Sequence, residues 1–176
     1  MAAAIRCLCA NKFDDLGDNM NITDFITEEC IVASVQSEDK EKLFEELAGT
    51  LARAKPGIEY QAVLNALIER EEKMSTGIGK GIAIPHGKTD AVDTICGVLG
   101  ISKNGIDYDA LDGEPVHIVF MLLSPTASSG PHINALRRIA GLLKDPGCYQ
   151  RLCDAPDAAG AFRLLRSDEE RMGEGE

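Results

Sequence analysis

The stretch "GIGKGIAIPHG", Gly77 to Gly87, places a histidine directly after a short apolar run and among four glycines. His86 follows the apolar residues 82–84, and Pro85 fixes the backbone φ angle ahead of the imidazole. The glycines carry no side chain, so a ligand or a partner's backbone can approach the ring closely. A restrained imidazole with open surroundings is suited to act as a nucleophile toward another molecule, although a lone histidine can also be a polar residue that ends a strand.

Several common chemistries lack their motifs. The chain has no G-x-S-x-G pattern for a serine hydrolase, and the spacings of His86, His117 and His132 do not form a zinc site such as H-E-x-x-H. The segment "GIGKG" is not a P-loop, and Lys80 within it is not expected to act in catalysis. A neutral imidazole can attack phosphorus directly and carry the phosphoryl group as a covalent intermediate. That reaction requires a cation and a hydrogen-bond donor near the phosphoryl oxygens.

The segment from Arg70 to Gly87 reads R-E-x-x-x-S-T-G-I-G-x-G-I-A-I-P-H-G, and "PVHIVFMLLSP" and "HINALRRIAGLLKD" follow it. Together these segments resemble the enzyme IIA domains of the bacterial sugar phosphotransferase system, in the class of the fructose, mannitol and nitrogen-regulatory proteins. The resemblance extends from about Met20 to Leu165. The A-I-P-H-G core and the later helix-borne histidine are its specific features.

The resemblance implies roles for individual residues. His86 matches the histidine that is phosphorylated, and His132 matches the second active-site histidine, which hydrogen-bonds the phosphoryl group or orients the first ring. Arg70 matches the arginine that lies against the phosphate, as suits the planar fork of a guanidinium. Thr76 is predicted to bind phosphate, and Ser75 and Thr76 are each expected to donate to phosphate or to make turn hydrogen bonds. His117 lies in an apolar strand and is expected to be structural.

The resemblance also implies partners. The phosphocarrier protein HPr would donate the phosphoryl group to His86, and a downstream IIB component would receive it. In the alternative, the chain is a nitrogen-type regulatory protein whose phosphorylation state controls binding to target proteins. A third hypothesis keeps the fold with an inert His86. No metal or cofactor is required, because the donor phosphohistidine is already activated.

The elements around these residues indicate a single α/β domain with a mixed β-sheet flanked by helices, and the resemblance implies the mannitol-type enzyme IIA fold. Periodicity predicts a first helix that Ser37 caps and Pro56-Gly57 ends, a second helix over residues 59–71 and a further helix that begins at His132. Two shorter helical pieces follow that one. The predicted strands cover residues 29–35, 82–84, 94–102 and 116–124, and the last is apolar enough to be buried on both faces.

Composition limits the class of protein. The 176 residues are 44% apolar with a net charge of -11, so nucleic acid is not an expected partner. No apolar run reaches the roughly 18 residues of a membrane helix, and we expect a cytoplasmic protein whose six cysteines are reduced. Residues 1–19 are expected to be a poorly ordered extension, residues 20–166 the enzyme IIA domain and residues 167–176 an acidic flexible tail.

Overall fold

The computed structural model describes residues 20–173. The extension predicted for residues 1–19, with Cys7 and Cys9, lies outside the described residues. Within the described part, Cys30, Cys96, Cys148 and Cys153 are free thiols. None of the helices between residues 20 and 173 is long and apolar enough to cross a membrane.

Within residues 20–173, six strands form one sheet, and five α-helices pack around it. The strands are β1 (Ile31–Val32), β2 (Gly77–Gly79), β3 (Ile82–Ala83), β4 (His86–Lys88), β5 (Cys96–Ile106) and β6 (Val116–Ser124). The helices are α1 (Lys40–Ala54), α2 (Tyr60–Glu71), α3 (Ser129–Leu143), α4 (Pro146–Cys153) and α5 (Ala158–Gly173). Two short 3-10 helices, Ile22–Asp24 and Glu28–Cys30, precede β1.

The sheet is mixed and is built around β6. Its order is β1-β5-β6-β3-β2, and β4 also pairs with β6. β5 runs antiparallel to β6, whereas β3 and β4 both run parallel to it, one after the other along the same edge. β6 is buried along nearly its whole length, as its continuous apolar run predicts. The expected α/β fold with a mixed, helix-flanked sheet is therefore confirmed.

The helices follow their predicted periodicity, but their ends depend on side-chain hydrogen bonds. α1 begins at Lys40 because the carboxylate of Asp39 accepts a hydrogen bond from the Lys42 backbone N–H at 2.9 Å. Ser37, the predicted cap, instead donates its hydroxyl to Glu46 at 2.5 Å. α2 covers the predicted segment and ends at Glu71, next to Arg70.

The C-terminal segment from residue 167 is predicted to be a flexible tail, but in the structure its first residues are helical. α5 continues to Gly173, and Asp168 and Glu169 are each 4% exposed. Arg151 donates to Asp168 at 2.7 Å, and the Glu169 carboxylate accepts hydrogen bonds from the backbone N–H groups of Ile22 and Thr23. These acids are ordered because they bind an arginine and the N-terminus of a 3-10 helix, partners that their charge favours.

The glycine-rich stretch forms the hairpin of β2 and β3. Gly79, Lys80 and Gly81 all have positive φ angles, of 85°, 56° and 76°. Glycine adopts this left-handed backbone without steric cost, which explains two of the glycines in the sequence. The exposed Lys80 donates its backbone N–H to Asp112 at 2.7 Å and therefore serves the turn.

Candidate functional site

His86 is the first residue of β4, at the edge of the central strand. It pairs in parallel register with Leu122 of β6, and the Leu122 N–H donates to the Pro85 carbonyl at 2.9 Å. The backbone on both sides of the ring is therefore held by the sheet. The side chain itself is only half-buried, so one side of it remains accessible.

Two hydrogen bonds define the protonation of the His86 ring. Its Nδ1 lies 2.8 Å from the Ile84 carbonyl, and because a carbonyl can only accept, Nδ1 carries the proton. Its Nε2 accepts a hydrogen bond from Arg70 Nε at 3.0 Å. Burial, together with the charge of Arg70, lowers the pKa of His86 below its usual 6.5. The ring is neutral at pH 7, with its lone pair on Nε2.

Arg70 reaches this ring because α2 lies unusually close to β4. A Cβ atom on Gly87 would come within 2.8 Å of the Ala66 carbonyl oxygen, so only glycine permits this approach. Arg70 lies one helical turn beyond Ala66 and points its guanidinium at His86. A second nitrogen, Nη1, donates to the Met74 carbonyl at 3.0 Å and fixes the plane of the fork.

His132 lies in the first turn of α3, opposite His86. The centroids of the two rings are 5.6 Å apart, and their planes are inclined by 50°. His132 is 5% exposed, and burial, followed by the positive charges of a protonated His86, of Lys88 and of Arg70, lowers its pKa to about 4. The second histidine is therefore neutral at pH 7.

Ser124, a site residue that the sequence analysis missed, holds His132. The Ser124 hydroxyl is fully buried at the end of β6, 2.8 Å from Nδ1 of His132. Only its position as the polar end of an apolar strand distinguishes it in the sequence. Lys88, two residues after His86, donates to the Ser129 hydroxyl at 2.7 Å and brings a second cation to this region.

The other candidates occupy different surroundings. Thr76 is 4% exposed, and its hydroxyl contacts Glu71 at 2.5 Å and the Tyr108 hydroxyl at 2.8 Å. Ser75 donates to the Asp109 carbonyl at 3.1 Å. His117 lies near the start of β6, far along the strand from Leu122, and its Nδ1 lies 2.9 Å from the Ser102 carbonyl. The structure thus groups Arg70, His86 and His132 and places Thr76 in a buried network beside them.

The grouped residues have the chemistry that an anionic, transferable group requires. Within residues 20–173 no three His, Cys, Asp or Glu side chains are grouped so that they could hold a metal ion. A neutral imidazole with an available lone pair, a guanidinium fork beside it and a second neutral imidazole are the elements of nucleophilic attack on phosphorus with charge stabilisation.

Comparisons with known sequences agree with this chemistry. Residues 24–168 match the family model described as "Phosphoenolpyruvate-dependent sugar phosphotransferase system, EIIA 2". The "Nitrogen regulatory protein" of Bradyrhizobium diazoefficiens is 36% identical over 83% of this chain and 95% of its own length. The "PTS system fructose-specific EIIABC component" of Bacillus subtilis is 38% identical over 77% of this chain, which spans only 21% of that longer relative.

Solved structures show the same architecture. The nitrogen regulatory protein IIA-Ntr from Neisseria meningitidis superposes with a TM-score of 0.76 at 30% identity, over 82% of this chain and 98% of the other. IIA mannitol from Escherichia coli superposes with a TM-score of 0.67 at 21% identity, over 79% of this chain and 97% of its own. The second likeness concerns the fold alone, and the expected mannitol-type fold is confirmed.

Proposed function

Because the chain belongs to the EIIA 2 family of the phosphoenolpyruvate-dependent sugar phosphotransferase system, we propose that it carries a phosphoryl group on Nε2 of His86. The observation that supports this assignment is the hydrogen-bonding of the ring. Nδ1 is occupied by the Ile84 carbonyl, whereas Nε2 bears the lone pair and faces the Arg70 guanidinium. A nucleophilic nitrogen and the cation that its phosphoryl group needs therefore already lie side by side.

The proposed reaction is a direct transfer between two histidines. Nε2 of His86 attacks the phosphorus of a phosphohistidine on an HPr-like donor, so the new N–P bond forms as the old one breaks. The electron pair of the broken bond returns to the donor's ring nitrogen. The His86 ring gains positive charge. The Ile84 carbonyl, which accepts a hydrogen bond from Nδ1–H, stabilises that charge. No proton has to leave during the step.

Arg70 must change its partner during this step. It donates to Nε2 in the unphosphorylated protein, and the incoming phosphoryl group requires that electron pair. We expect the Arg70 Nε–H to transfer its hydrogen bond from Nε2 of His86 to a phosphoryl oxygen. The Arg70 Nη1 keeps its hydrogen bond to the Met74 carbonyl. The guanidinium thereby exchanges a neutral acceptor for a charged one, and the hydrogen bond becomes stronger.

His132 supplies the second donor in this proposal. We expect the Ser124 hydroxyl, 2.8 Å from Nδ1 of His132, to donate to that nitrogen, an arrangement that leaves a proton on Nε2 for a phosphoryl oxygen. Thr76, which the motif predicts to bind phosphate, takes no direct part here because its hydroxyl contacts Glu71 and Tyr108.

Exposed apolar side chains around the site support transfer between proteins. Met74, Ile78, Leu111 and Ile133 are 62%, 46%, 72% and 55% exposed. The Met74 carbonyl binds Arg70, Leu111 donates its N–H to the Gly77 carbonyl beside Ile78, and Ile133 follows His132. Large exposed apolar groups near one site are typical of a protein-binding surface. We propose that HPr and a IIB component bind here in turn.

A regulatory role is the second candidate. The similarity to proteins named for nitrogen regulation favours it, since the Neisseria meningitidis structure has the higher TM-score of the two compared. In that case phosphorylation of His86 controls binding to a target protein instead of sugar uptake. The cytoplasmic location stays a prediction under both candidates.

One reconstitution tests the phosphoacceptor. The chain is incubated with enzyme I, HPr and labelled phosphoenolpyruvate, and the acid-labile phosphate is mapped. We expect label on wild type and on the control His117→Asn, and none on His86→Asn. Absence of label from wild type, or label that survives in His86→Asn, contradicts the proposal. A chase with a fructose-type IIB component then separates the candidates: rapid loss of label supports the carrier, and retained label supports the regulator.

A further inference from the structure

Glu71, the residue after Arg70, is a nearly buried acid that the transfer step does not use. It is the last residue of α2, and its side chain is 9% exposed. One carboxylate oxygen lies 2.9 Å from the Lys40 ammonium of α1. The other accepts the Thr76 backbone N–H at 3.0 Å and the Thr76 hydroxyl at 2.5 Å. Glu71 thus connects two helices to the start of the glycine-rich hairpin.

The contacts of Glu71 close the turn that holds Arg70. The chain between Glu71 and Thr76 contains Met74, whose carbonyl accepts the Arg70 Nη1 hydrogen bond. If Glu71 released Thr76, this turn would lose the contact that spans it. The Met74 carbonyl would then no longer fix the plane of the guanidinium.

The same residue is connected to the ring of His86 by backbone hydrogen bonds. The Thr76 carbonyl accepts the N–H of Ile84 at 3.0 Å, and the Ile84 carbonyl binds Nδ1 of His86. Glu71 therefore binds Thr76, a residue that is connected both to Arg70 and to His86. One path runs through Met74 to Arg70, and the other runs through Ile84 to His86.

We propose that Glu71 is a positioning residue, which sets the separation of Arg70 and His86 by holding Thr76. The inference rests on the proposed function of His86 as phosphoacceptor. An error of about 1 Å in such a separation can slow a reaction by about 100-fold. Glu71 touches neither the phosphoryl group nor the ring in this proposal and acts through Thr76 and the turn.

A carboxylate suits this position better than an amide. Burial alone would raise the pKa of Glu71, but hydrogen bonds from Thr76 and Lys40 outweigh it and hold the pKa below its usual value. The ionised group forms an ion pair with an ammonium and accepts hydrogen bonds from a hydroxyl and a backbone N–H. An amide offers only one oxygen as acceptor and presents N–H donors to the Lys40 cation. Tyr108, 1% exposed, completes the network with its hydroxyl 2.8 Å from Thr76 Oγ1.

The test compares Glu71→Gln with Glu72→Gln, an exposed neighbour in the same turn. Single-turnover phosphorylation by phospho-HPr is measured over a range of HPr concentrations, and the Arg70 Nε–H resonance is recorded by NMR. For Glu71→Gln we expect a maximal rate about 10-fold lower, an unchanged half-saturating HPr concentration and a displaced Arg70 signal. Glu72→Gln should match wild type. A folded Glu71→Gln protein with the wild-type rate and Arg70 signal overturns the proposal.

Thr76→Val provides a second measurement if Glu71→Gln does not fold. It removes the hydroxyl and keeps the backbone N–H bond to Glu71, so we expect a loss of a few-fold and a smaller displacement of the Arg70 signal. A wild-type rate and signal in Thr76→Val overturn the proposal, as does a loss of rate without any displacement, which would mean that Thr76 binds phosphate directly. The Arg70 signal needs no transfer, so it tests Glu71 even if His86 proved not to accept phosphate.

Discussion

Replacement of Gly87 by alanine is the most direct test of how the site is assembled. The added methyl group would lie 2.8 Å from the Ala66 carbonyl oxygen and 3.1 Å from the Ala66 Cβ. Ordinary contacts of a Cβ begin at 3.4 Å, and the obstacle is helix backbone, which cannot rotate away. α2 must therefore move outward from β4, and Arg70 moves with it.

The required displacement is large enough to break the contact between Arg70 and His86. Relief of the clash needs 3.4 − 2.8, which is 0.6 Å. Added to the present separation of 3.0 Å between Nε and Nε2, it gives about 3.6 Å, a distance at which no hydrogen bond forms. Loss of a hydrogen bond to a charged group costs about 1.5 to 3 kcal/mol. If the phosphoryl group loses the same contact, transfer slows by roughly 10-fold to 100-fold.

The assay is single-turnover phosphorylation by phospho-HPr, with the free energy of unfolding measured in parallel. We expect Gly87→Ala to lose about 1 to 3 kcal/mol of stability by overpacking and to remain folded. Gly49→Ala is the matched control, because its methyl group meets only the flexible end of Arg53 at 3.4 Å. A folded Gly87→Ala protein that accepts phosphate at the wild-type rate would refute the argument that this glycine positions Arg70.

Three further predictions concern the arginine, the buried serine and pH. Arg70→Lys should slow phosphorylation about 10-fold, because an ammonium cannot bind His86 and the Met74 carbonyl in one plane; a wild-type single-turnover rate would contradict this. Ser124→Ala should cost about 1 kcal/mol of stability and shift the His132 tautomer populations in nitrogen-15 NMR spectra, so an unchanged spectrum would count against the donor role of the hydroxyl. Because the pKa of His132 falls from 6.5 to about 4 on folding, the unfolded state binds more protons, and the group should lower stability by up to about 3 kcal/mol as pH falls from 6.5 to 4. Urea unfolding of wild type and His132→Asn at pH 7 and pH 4.5 measures this loss, and equal pH dependence in both would disprove it.

The parts of the fold that depend on local pattern were predictable from the sequence. β6 spans Val116–Ser124 as its apolar run predicts, and α2 ends at Glu71 as its periodicity and the following turn residues indicate. The predicted strand over residues 29–35 shortens to Ile31–Val32, because the 3-10 helix Glu28–Cys30 occupies its first part. The strand predicted over residues 94–102 continues to Ile106, where pairing with Val116 extends it. The ends of these strands depend on the strand with which they pair, and no local sequence pattern reveals that pairing.

Some residues of the candidate site could likewise be predicted from the sequence, and others could not. The motif and its resemblance indicated Arg70, His86 and His132, and the structure brings these three together. The partners of Thr76 could not be read from the sequence, because Tyr108 is 32 residues away along the chain. Ser124 could not be identified for a similar reason, because its partner, the His132 ring, lies on the next helix. Buried hydrogen-bond networks are tertiary features, and residue types alone do not predict them.

The hydrogen bond from His86 Nδ1 to the Ile84 carbonyl has a consequence for regiochemistry. The group that occupies Nδ1 is a main-chain oxygen two residues earlier, so side-chain substitutions elsewhere in the site leave it in place. Variants that slow the transfer should therefore still yield a single phosphohistidine isomer, the one substituted at Nε2. In the proposed transfer, side chains would then set the reaction rate, and the backbone would set the ring nitrogen that is phosphorylated.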